Sequence, residues 1–150
     1  RRISEYIQGQ LQANLEGLKV NIVQQPFKNK LALEGEGEFD FSFAGWGPDY
    51  GDPMTFLDMW ITGSGHNVVS YNNEEYDNII KRTKMGDLTT DLETRWKELQ
   101  RAEKILLEDD VVLVPLFQKG VKVLQKPYIK NMNVNAFAPD YYYKSIKIVK

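Results

Sequence analysis

The chain has 150 residues, of which 42% are hydrophobic, and it carries 19 basic and 21 acidic side chains. This composition excludes a wholly disordered chain and argues against a general nucleic-acid binder, while the length fits one compact domain or part of a larger one. Disulfides, thiol catalysis and multi-histidine metal sites are excluded because the sequence has no cysteine and a single histidine. No apolar run reaches the roughly 18 residues that a membrane-spanning helix needs.

The first third of the sequence alternates between helical and extended patterns. Apolar residues recur every four positions from Ile3 to Leu15, and Gly17 is expected to end this helix. The predicted elements are a helix over 3–15, a strand over 18–23, a short helix over 27–33, a polar turn over 34–38 and a strand over 39–43. A strand, a helix and a second strand in this order favour an α/β fold.

The middle third predicts three helices, each with a recognisable start. Asp52 and Pro53 open the first helix, which runs to about Ile61. Asn72 and Thr90 are the candidate N-caps of the next two helices, because each is followed three residues later by glutamate. The third helix, over 91–108, presents an apolar face that is expected to be buried, formed by Leu92, Trp96, Leu99, Ala102 and Leu106.

The last third is mostly extended or irregular. The continuously apolar run 111–117 predicts a strand covered on both faces, and 121–124 and 146–149 predict further strands. The tyrosine-rich stretch 128–144 has no regular pattern. Because the chain opens in a crossover helix with no strand before it, we expect it to be a piece of a larger α/β protein.

Catalytic constellations are not supported by the sequence. His66 follows a Gly-Ser-Gly turn and is expected to be a solvated loop residue. Glu34, Glu36 and Glu38 do not have the spacing of a calcium loop. The tyrosine triplet 141–143 is expected to pack structurally, with one or two rings exposed. No base, nucleophile, metal set or cofactor motif is present, so we expect neither catalysis nor a cofactor.

The loop after the second predicted strand is the best candidate for a binding site. It contains Gly45, Trp46, Gly47, Asp49 and Tyr50, and it follows the carboxyl end of a predicted strand, where open α/β sheets bind ligands. A carboxylate beside an indole suits an ammonium group, through a charge-assisted hydrogen bond and a cation–π contact. A tight turn with a packed tryptophan is the alternative that the residues leave open.

The segment from Ala44 to Leu57, AGWGPDYGDPMTFL, resembles the AGW-x-x-DY-x-(D/E)-P-(T/S)-F-L segment of the oligopeptide-binding proteins. These are the extracytoplasmic solute-binding subunits of ABC peptide importers, and the resemblance extends over nearly the whole chain. It implies a two-lobed fold of the type II periplasmic-binding-protein class, with a mixed sheet and flanking helices. Residues 1–118 would then belong to the C-terminal lobe, and residues 119–150 to the crossover and the segment returning to the first lobe.

The resemblance also implies roles for individual residues. Asp49 falls on the aspartate that binds the α-ammonium of the peptide, and Trp46 on the tryptophan that lines the cleft. Phe27 lies where a cleft tryptophan is usual, and Lys119 where some members place a ligand-contacting tyrosine. Phe43 replaces an arginine that in some members receives the carboxyl end of the peptide, which weakens the case for a fixed ligand length. The predicted ligand-binding residues are Asp49, Trp46, Phe27, Gly45, Gly47, Tyr50 and Lys119.

The function implied by this resemblance is binding without chemistry. A peptide would pair with backbone groups in an extended conformation, lobe closure would bury it, and the closed protein would dock on the permease. The protein would be extracytoplasmic, either lipid-anchored at the cell surface or periplasmic. A partial lobe alone is expected to bind peptide weakly or not at all. The alternatives are a peptide pheromone receptor, a binding protein for nickel or a sugar, and, last, an enzyme.

Overall fold

The computed structural model describes residues 2–135 and 141–149, so part of the tyrosine-rich stretch, 136–140, lies outside the described residues. The chain divides into two compact units, Arg1–Gly45 and Trp46–Lys150. Each unit has its own internal hydrogen bonds.

The first unit contains two helices, α1 (Arg2–Asn14) and α2 (Phe27–Glu36). The prediction of α1 is confirmed, and Gly17 takes the left-handed conformation that ends such a helix, with φ of 81°. None of the residues of α1 is buried. Within the described residues its apolar stripe is only partly covered. Ile7 and Leu11 are half-buried, whereas Ile3 and Leu15 are exposed.

The predicted strand over 18–23 is wrong, because these residues form no strand and pair with no strand among the described residues. The polar groups of Val20 are instead bonded by glutamine side chains of α1. The amide of Val20 donates to Oε1 of Gln12 at 2.8 Å, and its carbonyl accepts from Nε2 of Gln8 at 2.6 Å. These bonds satisfy the backbone in the way that a neighbouring strand otherwise would.

Helix α2 is one turn longer than predicted, because 34–36 form its last turn rather than a loop. Gly37 then ends the helix with a left-handed φ of 74°. Glu34 is buried and accepts hydrogen bonds from Lys30 and Ser42, which ties the segment after the helix back onto it. Burial by itself raises the pKa of Glu34, but these two hydrogen bonds outweigh it and the pKa is lowered. The predicted strand over 39–43 is also wrong, since it has no ladder partner among the described residues.

The second unit is built on three helices, of which the first two are joined by a long loop, 61–73, and the last two by a short turn. Its helical elements are α3 (Met54–Leu57) with a 3₁₀ turn (Asp58–Trp60), α4 (Glu74–Met85) with a 3₁₀ turn (Asp87–Thr89), and α5 (Leu92–Lys104) with a π turn (Ile105–Asp109). All three helices were predicted. The N-caps lie one residue later than expected, because Asn73 accepts from the amide of Tyr76 and Asp91 from the amide of Thr94.

The hydrophobic core of the second unit lies among these helices. Tyr76 and Ile80 of α4 are almost completely buried, and the hydroxyl of Tyr76 donates to the carbonyl of Leu57. The core residues are Met54, Leu57, Tyr76, Ile79, Ile80, Leu99, Ala102, Ile105 and Leu106. The expectation that Trp96 is buried is wrong: its side chain is 53% exposed. Leu92 is also exposed, because the covered face of α5 is limited to its C-terminal half.

The chain leaves the helices through a left-handed residue that is not glycine. Val111 has a φ of 49°, and the amide of Val112 donates back to the carbonyl of Leu106 at 2.8 Å. Residues 113–126 form no strand and have no ladder partner in the part of the chain that the structure describes, so the strands predicted over 111–117 and 121–124 are wrong. A continuously apolar run indicates burial on both faces, but only Val112 and Leu113 pack against the helical core, while Val114 and Phe117 are exposed.

Two short antiparallel ladders complete the described part of the chain. β1 (Ile129–Lys130) pairs with β4 (Lys147–Ile148), and β2 (Asn133–Val134) pairs with β3 (Tyr141–Tyr142). The predicted last strand is thus confirmed, whereas the mixed sheet is not formed within the described residues. None of the helices described is both long enough and apolar enough to cross a membrane.

Candidate functional site

The loop before α3 is fastened to the helical core by Asp52. Its Oδ1 accepts from the amide of Met54 at 2.9 Å, which confirms the predicted role at the start of the helix. The same carboxylate receives two hydrogen bonds of 2.9 Å from the guanidinium of Arg95 on α5. Arg95 also donates to the carbonyl of Thr83 on α4. The Arg95 hydrogen bonds lower the pKa of Asp52, because they stabilise the ionised carboxylate.

Asp49, three residues earlier, has a different environment. Its backbone amide donates to Oγ1 of Thr55 at 3.1 Å, and Thr55 is buried at the start of α3. The side chain of Asp49 is exposed. Within residues 2–135 and 141–149, its carboxylate accepts no hydrogen bond and forms no ion pair. The loop therefore holds the backbone of Asp49 in place and leaves its carboxylate available to a ligand.

A second loop, between the 3₁₀ turn after α3 and the start of α4, is organised by Asn67. Its Nδ2 donates to the carbonyls of Tyr71 and Ile61 at 2.7 and 3.2 Å, and its Oδ1 accepts from the amide of Tyr71 at 2.9 Å. This places the neighbouring residue, His66, against Trp46, with ring centroids 5.0 Å apart in an edge-to-face arrangement of 65°. The two loops are thus in contact through these rings.

The two loops and α4 enclose an open cavity of about 400 Å³. Its walls include Trp46, Asp49, Tyr50 and His66. Asp58 and Lys84 also line it, and Nζ of Lys84 donates to Oδ2 of Asp58 at 2.7 Å. The cavity combines an aromatic wall with one unpaired carboxylate, which suits a ligand that carries a positive charge.

The pKa of the Tyr50 hydroxyl reflects the same surroundings. Burial raises it, and the nearby carboxylates of Asp58, Asp52 and Asp49 raise it further, while Lys84 acts in the opposite direction. Tyr50 is therefore neutral and can donate or accept a hydrogen bond. Its hydroxyl therefore interacts electrostatically with the charged groups of the cavity.

Three of the predicted site residues line the cavity of the second unit. Trp46, Asp49 and Tyr50 line the cavity, and Gly47 lies between them in the loop. Phe27 and Gly45 belong to the first unit, where Phe27 is the exposed first residue of α2. Lys119 is exposed in the segment after α5 and does not line the cavity. The ligand-binding roles of these seven residues stay predictions.

Several cavity residues were missed from the sequence. His66 was expected to be solvated; it is exposed, but its ring also contacts Trp46. Asp58 and Lys84 are 26 residues apart, so their pairing had no local pattern to indicate it. The one available indication for the His66 loop was Asn67, because asparagine side chains commonly bond nearby backbone in turns.

Within the described residues, no three acidic or histidine side chains are grouped so as to hold a metal ion.

Comparison with known proteins gives the class of protein. Residues 1–67 match the family described as bacterial extracellular solute-binding proteins, family 5 Middle. The whole chain matches solved structures of this class with high similarity. The chain belongs to this family of solute-binding proteins.

Three solved structures illustrate the similarity. The substrate-binding domain of an oligopeptide ABC transporter from Bacillus anthracis is 44% identical, with a TM-score of 0.85 over 99% of this chain. Listeria monocytogenes OppA bound to peptide is 47% identical, with a TM-score of 0.82 over 100% of this chain. The pheromone receptor PrgZ is 36% identical, with a TM-score of 0.79 over 99% of this chain.

These structures establish the fold class, a part of the two-lobed type II fold of periplasmic binding proteins. The chain spans 28–29% of the length of the three structures. It spans 25% of the length of one curated relative, a periplasmic oligopeptide-binding protein of Haemophilus influenzae, which is 32% identical over 139 residues. The family is one of solute-binding proteins.

Proposed function

We propose that the protein binds oligopeptides and that the carboxylate of Asp49 receives the α-ammonium group of the ligand. The observation that carries this proposal is the unpaired, exposed carboxylate of Asp49 in a cavity walled by Trp46. A charge-assisted hydrogen bond to this carboxylate contributes about 1.5–3 kcal/mol. The indole of Trp46 adds an attraction for the same positive charge.

The proposed physiological role is delivery of peptides to an ABC importer. The similarity to an oligopeptide ABC transporter's substrate-binding domain and to OppA bound to peptide supports this role. The protein would act outside the cytoplasm, at the cell surface through a lipid anchor or in the periplasm, and would dock on the permease subunits. Contacts to the peptide backbone would make its side-chain specificity broad.

The proposed site is larger than the cavity. The resemblance implies that Gly45, Gly47, Phe27 and Lys119 are further contacts to the peptide. Residues 1–118 would form part of one lobe and 119–150 the crossover. The complete cleft would need the second lobe, so a chain with one wall would bind peptide in the millimolar range or more weakly.

Binding is testable by titrating the ¹⁵N-labelled full-length protein, in which both lobes of the cleft are present, with a pool of short peptides up to millimolar concentration. We expect shifts of the Trp46 indole and of the amides of Asp49 and His66. An N-acetylated pool, which lacks the α-ammonium group, should produce none of these shifts. If the free and acetylated pools perturb the same resonances equally, or if neither perturbs any, the proposal is wrong.

A matched pair of variants assigns the effect to Asp49. Asp49→Asn should weaken peptide binding about 10- to 100-fold, the equivalent of one lost charged hydrogen bond. Glu103→Gln is the control, since Glu103 is an exposed carboxylate of α5 that does not line the cavity. It should leave the affinity unchanged. Unchanged affinity in Asp49→Asn would contradict the ammonium role and favour a non-peptide solute such as nickel or a sugar.

The second candidate is a peptide pheromone receptor, which the similarity to PrgZ favours. The two functions differ in selectivity. An importer subunit binds most members of a random peptide pool, whereas a receptor binds one peptide much more tightly than the pool. Hydrolysis of the bound peptide during the same incubations would support the enzyme alternative instead.

A further inference from the structure

The cavity contains a second charged site besides Asp49. Asp58, in the 3₁₀ turn after α3, and Lys84, in the last turn of α4, both line it. Nζ of Lys84 lies 2.7 Å from Oδ2 of Asp58, and the side chains are 43% and 22% exposed. Both groups are therefore open to a ligand and are paired with each other in its absence.

This pairing fixes the charge balance that a ligand meets. The charged lining of the cavity consists of two carboxylates and one ammonium group, and the carboxylate left over is that of Asp49. A single positive charge on the ligand would neutralise it. A second positive charge on the ligand would be repelled by the ammonium of Lys84, and it would find no free carboxylate at Asp58, because Lys84 already pairs with it.

We propose that Lys84 is a specificity-determining residue, which occupies Asp58 and thereby disfavours ligands with a basic side chain beside their α-ammonium group. The inference rests on the proposed function, in which Asp49 binds that ammonium group. Without Lys84, Asp58 would become a second free carboxylate in the cavity, and basic first residues would be favoured.

If the Lys84–Asp58 pair had a purely structural role, a different result would be expected. If the Lys84–Asp58 bridge only fastened α4 to the 3₁₀ turn, its removal would change stability and would weaken all peptides equally. A comparable bridge is available elsewhere: Nζ of Lys97 lies 2.7 Å from Oε1 of Glu93 on the surface of α5, and neither residue lines the cavity.

The test compares two tripeptides that differ in one charge. One begins with lysine and the other with norleucine, which has a similar unbranched side chain and no ammonium group. In the native protein the norleucine peptide should bind more tightly. Lys84→Met should shift the ratio of the two affinities towards the lysine peptide by about three- to fivefold, the upper range for an exposed charge pair.

Three further variants complete the design. Asp58→Asn, which leaves Lys84 unpaired, should shift the ratio in the opposite direction. The double variant Lys84→Met/Asp58→Asn should fall between the two single variants, because the lysine and the carboxylate are both gone. Lys97→Met should leave the ratio unchanged. Thermal unfolding of each variant shows whether it is folded, and Lys84→Gln replaces Lys84→Met if the latter is not.

The outcomes separate the inference from the proposed function. If both peptides bind the native protein but the ratio is the same in Lys84→Met, the specificity role is wrong and peptide binding stands. An equal loss of affinity for both peptides also contradicts it and assigns the bridge a structural role. The affinities are measured in the full-length protein, and if neither peptide binds it, both the proposed function and this inference are wrong.

Discussion

The helical body of the second unit, residues 54–110, mixes polar and apolar residues, whereas the segment that follows it, residues 111–126, is mostly apolar, yet the body is the better buried of the two. In the body, residues such as Tyr76 and Ile105 are almost completely buried. In the segment, Val114, Phe117 and Leu124 are all exposed. A helix satisfies its own backbone and needs only one covered face, whereas an extended apolar segment needs neighbours on its edges and faces.

The largest expected effect is a contrast between one core and one segment residue. Ile80→Ala should lower the free energy of unfolding by about 2–5 kcal/mol, because Ile80 is 1% exposed and its removal leaves a cavity. Leu124→Ala should change it by less than about 0.5 kcal/mol, because Leu124 is 101% exposed. Urea unfolding of the two variants measures both. A similar loss for each would mean that the segment is packed in solution.

Asp52 joins the binding loop to the helical body, and its contribution depends on pH. Its pKa is lowered by Arg95, so its stabilising effect is complete above the ordinary aspartate pKa of about 3.9 and is lost as the pH falls through the lower folded value. Asp52→Asn should therefore lower the unfolding free energy by about 1–3 kcal/mol at pH 7.

The difference between native protein and Asp52→Asn should shrink as the pH is lowered from 5 towards 2 and should vanish at the acid end. Urea unfolding at several pH values measures it. Asp87→Asn is the control, because Asp87 is paired with Arg82 on the exposed surface of α4 and is not attached to the binding loop. A pH-independent difference for Asp52→Asn would show that the charge of this carboxylate does not matter.

The smallest expected effect is at the junction between the two regions. Val111→Gly should raise the unfolding free energy by about 0.5 kcal/mol, since relief of the left-handed strain exceeds the entropy that glycine gains in the unfolded chain. Val114→Gly, at an exposed position of the same segment, should give no gain. Thermal unfolding midpoints compare the two. Loss of stability in Val111→Gly would indicate that the valine side chain packs in solution.

The helices could be predicted from the sequence because each depends on local information. The spacing of apolar residues identified α4 and α5, and the side chains that cap them lie only one residue from the predicted positions. The extended segments could not be predicted in the same way. The alternation over 18–23 indicates one shielded face, but it does not say whether the backbone of Val20 bonds a strand or glutamine side chains.

The candidate site shows the same limit. The motif around Trp46 and Asp49 is contiguous, so it could be recognised from its residues. The anchoring of Asp52 by Arg95 joins residues 43 positions apart, and the contact between Trp46 and His66 depends on the fold of an entire loop. Such contacts are set by tertiary packing and leave no periodicity in the sequence.

The buried hydroxyl of Thr55 has a consequence for the energetics of recognition. The Thr55 hydroxyl accepts a hydrogen bond from the amide of Asp49, while the carboxylate of Asp49 stays in solvent. The backbone of Asp49 is therefore held in place before any ligand binds. All the residues that line the cavity belong to one unit, so its shape is preorganised. Most of the conformational entropy lost on association would then be that of the incoming flexible molecule, which favours short or constrained ligands over long ones.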